Sequence, residues 1–115
     1  MQGTNVLAMM HIAGALSGTV TRKFVVPFNA SLVSVQVSAG ANTNSELDLG
    51  TTSDGDAYID GTALGASGAP VTVAASSFLT GGPVRLRAGD TLVASVTKGS
   101  SAASDVSIYL GFTEG

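Results

Sequence analysis

Residues 31–40 read SLVSVQVSAG. Successive side chains of an extended chain point to opposite faces, so Val33, Val35 and Val37 share one face and Ser34, Gln36 and Ser38 the other. Alternation of β-branched and small polar residues at period two describes a strand with one face on a core and one in solvent. Residues 40–44, GANTN, then supply a turn. With this period in hand, the rest of the chain reads as strands in both directions.

Toward the N-terminus, residues 19–28 (TVTRKFVVPF) place Val20, Phe24, Val26 and Phe28 on one face, with Arg22 the exception. Pro27 lacks the amide that a ladder needs, which marks an edge or a bend. Residues 6–16 (VLAMMHIAGAL) are apolar on both faces. An apolar run closing on Ala-Gly-Ala has the look of a signal peptide, but no basic segment precedes it and the following strands need a neighbour. It is read as a first strand, covered on both sides.

Toward the C-terminus, a short alternating strand begins at Glu46 and leads into a long acidic loop. Pro70 to Val73 gives a short strand with Val71 and Val73 inward, and Gly81-Gly82-Pro83 breaks the chain before Val84-Arg85-Leu86-Arg87. Ala88-Gly89-Asp90 is a tight turn. TLVASVTK (91–98) puts Leu92, Ala94 and Val96 on one face, and DVSIYLGFT (105–113) does the same with Val106, Ile108, Leu110 and Phe112. Nothing has helical periodicity. Roughly eight short strands joined by Gly, Pro, Asn and Asp turns predict an all-β fold, a two-sheet antiparallel β-sandwich of jelly-roll type, with an immunoglobulin-like sandwich as the runner-up.

Composition removes whole classes of function. At 115 residues the chain is read as a single domain, 1–115, of a size that buries roughly two thirds of its unfolded surface. Charged residues are 11% of the chain, against about 25% in an ordinary domain, while 44% are hydrophobic. That fraction argues against disorder, and no apolar run nears the roughly 20 residues of a membrane span. A net charge of −3, with basic residues paired only at Arg22-Lys23 and Arg85/Arg87, leaves little to bind nucleic-acid phosphates. No nucleic acid and no membrane are expected as partners. With no cysteine there is no disulfide framework and no thiolate chemistry.

Of eight carboxylates, Glu46, Asp48, Asp54, Asp56 and Asp60 fall within residues 46–65, ELDLGTTSDGDAYIDGTALG. Asp54, Asp56 and Asp60 are the candidate ligands for a Ca2+ ion, because hard cations take oxygen ligands at alternating loop positions. The spacing departs from a calcium loop: Tyr58 stands at the third alternating position and no bidentate Glu follows. Asp-Gly twice over is also turn chemistry, with Asp capping backbone amides and Gly supplying positive φ. The turn reading is adopted, with no cofactor, and the stretch is taken as a long turned connection between the sheets.

His11 is the sole histidine and sits between Met10 and Ile12, a setting for packing or an interface. No serine lies in a nucleophile-elbow context, so no catalytic residue is assigned and the chain is read as a non-enzyme. Tyr109 faces outward by parity against Ile108 and Leu110. Outward positions elsewhere are Ser, Thr, Gln and Ala, and the first strand is apolar on both sides. Charge-poor faces of this kind suit burial against another protein. Val6, Leu7, Met9, Met10, His11, Tyr58 and Tyr109 are the interface candidates.

The segments KFVVPFNASLVSVQVSAGANTN (23–44), LDLGTTSDGDAYIDG (47–61) and LRAGDTLVASV (86–96) resemble small structural proteins of tailed bacteriophages, most of all capsid decoration (cement) proteins built on β-sandwiches. The resemblance implies a homotrimer on the capsid exterior, assembled in the host cytoplasm, that braces neighbouring major capsid subunits. Residues 1–11 and one edge strand would then meet the capsid. Two alternatives stay open: a carbohydrate- or receptor-binding module using Tyr58 and the acidic loop, and a tail or fibre subunit.

Overall fold

The computed structural model describes residues 5–15, 18–40, 45–64, 70–97 and 104–114. Among them are nine strands: β1 (Asn5–Ala15), β2 (Val20–Val25), β3 (Ala30–Ser38), β4 (Glu46–Gly50), β5 (Ile59–Ala63), β6 (Val71–Ala74), β7 (Val84–Leu86), β8 (Thr91–Thr97) and β9 (Ser104–Glu114). A single 3-10 turn, Ala75–Ser77, follows β6. The expected turn at 41–44, the end of the first strand at Leu16, Lys98 and residues 1–4 of the contact segment lie outside the described residues.

Pairing is antiparallel throughout. One sheet runs β1-β9-β3-β6, with β7 also on β3; the other runs β2-β8-β4-β5. Ordered by sequence, the pairs nest: β4 with β5, β3 with β6, β2 with β8, β1 with β9. Nested pairs dealt alternately to two sheets make a jelly roll, the architecture expected from strand count and turn spacing. β7 is the addition, continuing the β6 edge along the first half of β3.

The core lies between the sheets. Leu32, Val35, Val37, Val106, Ile108 and Leu110 from the five-stranded sheet meet Leu47, Leu49, Leu92 and Val96 from the four-stranded one, all fully buried. Each such side chain contributes roughly 1.5–3 kcal/mol relative to exposure. Phe24 of β2 stacks on Phe112 of β9 with ring centroids 5.7 Å apart, which places β2 on the side of the roll that carries β9 and β1.

Three bulges interrupt the ladders, and two of them correct the sequence reading. Leu32 pairs with Phe112 and Ser34 with Gly111, so Val33 is an extra residue in β3. The bulge shifts parity: Leu32, Val35 and Val37 are buried, whereas Val33 is only partly so and does not share their face. The second bulge lies in β5, between the pairs Leu47–Thr62 and Leu49–Ile59. That strand is the ninth, taken from sequence as loop. Because β4 and β5 pair within one sheet, residues 46–65 contain a hairpin and not a connection between sheets. The third bulge lies in β1 between Ile12 and Ala15, where Gly14 has φ +76° and donates its amide to Asp105 Oδ1 at 2.9 Å.

Candidate functional site

The acidic hairpin is held by its own backbone and short side chains. Thr51 and Ala57 donate their amides to the Asp54 carbonyl (2.8 and 3.2 Å), and the Asp54 amide donates to Thr51 Oγ1 at 3.0 Å. Tyr58 donates its amide to the Leu49 carbonyl at 2.9 Å, closing the loop onto β4. The loop folds back so closely over Gly50 that a Cβ there would run into the Asp54 carbonyl. Asp48 Oδ1 accepts the Gly61 amide at 2.7 Å, satisfying the donor that the β5 bulge removes from the ladder. These are the contacts of turn chemistry.

The side chains of Asp54, Asp56 and Asp60 crowd one another in solvent. A hydrogen bond to Asp54, reinforced by the charges of Asp54 and Asp60, raises the Asp56 pKa above the ordinary carboxylate value. Among the described residues, no three His, Cys, Asp or Glu side chains converge as a ligand set for a metal.

Tyr58 leads into β5 and packs partly against the core. Partial burial, with the charge of Asp90 second, raises its pKa above the ordinary phenol value. Its carbonyl accepts the Leu79 amide at 2.9 Å, which brings exposed Leu79 alongside. Thr51, Thr52, Tyr58, Leu86, Asp90 and Thr91 surround a hollow of about 270 Å³ here.

The other candidates divide by strand parity. Val6 and Met10 are half-buried and pack against the core from β1, while Leu7 (68% exposed) and Met9 (58%) stand on its outer side. Met9 pairs with Tyr109, which pairs with Gln36, which pairs with Thr72, forming one row across the five-stranded sheet. Next to it, His11 pairs with Ser107, and its Nδ1 lies 2.9 Å from Ser107 Oγ. The structure thus gathers Leu7, Met9, His11 and Tyr109 on one outer face and leaves Tyr58 with the other sheet. Carboxylates are absent from these rows, Leu7–Gly111–Ser34–Ala74 included.

Two contributors were not read from sequence. Gly111 and the Val33 bulge, with Val6, Leu7, Ser34 and Phe112, form a hollow of about 320 Å³ beside β1. Simple alternation carries no mark of a bulge, and a lone glycine in a strand was its only sequence signal.

No protein-family model matches the chain, and no curated protein does. Among solved structures, it is similar to a chain of the Cyanophage Pam1 capsid asymmetric unit, with a TM-score of 0.60 and 19% identity, covering 99% of this chain and 87% of that one. It is similar also to a chain of the capsid of Ralstonia phage GP4, with a TM-score of 0.62 and 16% identity, covering 100% of this chain and 87% of that one. At these identities the likeness is one of fold.

Proposed function

We propose that this chain is a non-enzymatic virion structural protein that decorates and stabilises a phage capsid, binding major capsid subunits on the capsid exterior as a homotrimer made in the host cytoplasm. The observation that supports it most is the sandwich fold, similar over nearly the whole chain to chains in two phage capsids. The outer face of the five-stranded sheet, with Leu7 and Met9 exposed and no carboxylate in the rows through Leu7, Met9 and His11, suits burial against protein.

Self-association has its own support. The two edges of the four-stranded sheet differ in charge: β2 carries Arg22 and Lys23, while the opposite edge strand β5 carries Asp60, with Glu46 and Asp48 on β4 beside it. Edges of opposite sign on one subunit favour head-to-tail contact, which closes a ring when the rotation allows.

The test is to add purified protein to capsid shells assembled without it, then to measure co-sedimentation and shell melting. Saturable binding with a raised shell melting temperature is the expected result. Shells that neither bind the protein nor gain stability sink the reading. Sedimentation equilibrium tests the trimer, and a monomer at high concentration would overturn it.

One observation favours a second reading, a carbohydrate- or receptor-binding module: the hollow beside Tyr58 joins an aromatic ring to hydroxyls and to Asp90. A glycan array, together with a melting shift on adding calcium, checks it. Silence in both removes it.

A further inference from the structure

The four lateral edges of the two sheets are not protected alike. Unpaired backbone donors and acceptors along an edge invite another strand, and natural sheets blunt such edges with charge, proline, bulges or short length. β2 carries Arg22 and Lys23 at its centre. β5 has five residues, including Asp60, and a bulge with Gly61 at φ +77°. The far edge of the five-stranded sheet is split into β6, four residues preceded by Pro70, and β7, three residues preceded by Pro83 and bearing Arg85. β1 has none of these devices over Asn5 to Ile12. It is eleven residues long, contains no charge and no proline, and among the described residues pairs only with β9.

The packing beside β1 is also unfinished. On β9, Val106, Ile108 and Leu110 are fully buried, but on β1 the core-facing Val6, Ala8 and Met10 are only half-buried. On the opposite side of the strand Leu7 and Met9 stand in solvent. A neighbouring strand would supply what both sides lack.

We infer that β1 takes an extended segment of a partner polypeptide as an added strand, and that this is how the chain grips the capsid; the inference rests on the decoration reading above. The occupant's chemistry follows from the edge. A row of backbone amides and carbonyls is satisfied by another backbone and by neither a lipid nor a sugar. Apolar, uncharged side chains on both sides of β1 select a segment with apolar residues on its core-facing side and no charge on either. A second copy is the lesser fit, because the oppositely charged edges of the four-stranded sheet offer self-association a surface of its own.

Hydrogen exchange followed by mass spectrometry, on the free protein and on the protein bound to shells assembled without it, tests this directly. The peptide spanning β1 is expected to slow by about tenfold or more on binding, with β2 unchanged. The double variant Leu7→Lys/Met9→Lys is expected to weaken shell binding by about tenfold or more, whereas Leu79→Lys, the same change at an exposed apolar position outside β1 and β2, leaves it intact. Both positions are exposed, so the variants are expected to fold, and circular dichroism checks it. If shells bind protein normally while β1 exchange stays fast and the double variant binds like wild type, the inference falls and the decoration reading survives. If the protein binds no shells, both fall. If β1 slows with protein concentration alone, the occupant is a second copy and the inference is overturned.

Discussion

The amide of Gly61 donates to the carboxylate of Asp48 at 2.7 Å, across the β4–β5 hairpin. Gly61 has φ +77° and sits where β5 carries one residue more than its partner. One of the acidic residues that draws the eye in the sequence is therefore holding a bulge. Asp48→Ala is expected to leave a part-buried amide without a partner and to cost about 1–3 kcal/mol in urea unfolding. Asp48→Asn keeps an acceptor and is expected to recover most of that. Equal loss in both variants would mean that charge, and not the hydrogen bond, matters there.

Gly50 and Gly55 lie five residues apart and differ in what surrounds them. A Cβ at Gly50 would enter the Asp54 carbonyl, whereas one at Gly55 meets nothing within 4 Å. Gly50→Ala is expected to cost about 1–3 kcal/mol or more, because the hairpin loop must move. Gly55→Ala is expected to be neutral or to stabilise by about 0.4–1 kcal/mol through the unfolded chain. Thermal melts of the two variants side by side check the contrast, and similar melting temperatures would refute the close approach of the loop.

The Asp56 pKa is raised by its hydrogen bond to Asp54 and by the charges of Asp54 and Asp60. The folded protein therefore keeps a proton at a pH where the unfolded chain has already released it. Stability from this group is fully present below the unfolded carboxylate value and is lost as pH rises through the raised folded one. Asp56→Asn is expected to melt near wild type at about pH 3 and above it at about pH 7, the difference opening across the carboxylate range. A difference independent of pH would show that the crowding has no energetic consequence.

Leu110 is fully buried and Leu7 is 68% exposed, although both lie in the β1–β9 ladder. Leu110→Ala is expected to cost about 2–5 kcal/mol, and Leu7→Ala less than about 0.5 kcal/mol. Chemical denaturation of both variants is the measurement. A large loss at Leu7 in the isolated protein would mean that β1 is already covered in solution.

How much was legible varies by residue. Leu92, Ala94 and Val96 in β8, and Val106, Ile108, Leu110 and Phe112 in β9, are buried as their alternation predicts. Tyr109 stands on the outer face by the same parity, in a row with Met9 and Gln36. Val33 was misassigned because a bulge resets the period without changing composition. β5 is not legible because Asp60 and Gly61 are turn residues by composition; in the fold the Asp48 carboxylate takes up the Gly61 amide at the bulge.

From sequence alone came what depends on neighbours along the chain: the all-β class, most strand positions, the low share of charged residues and the turn at Ala88-Gly89-Asp90. Local sterics and side-chain period decide those, and they act over a few residues. Tertiary structure alone decided which strands pair, that residues 46–65 contain a hairpin, and that Leu7, Met9, His11 and Tyr109 share one face beside an unguarded edge. Those outcomes hang on contacts such as Met9 with Tyr109, a hundred residues apart in the chain. No local pattern encodes a meeting at that distance; it is chosen by which apolar faces can be buried together.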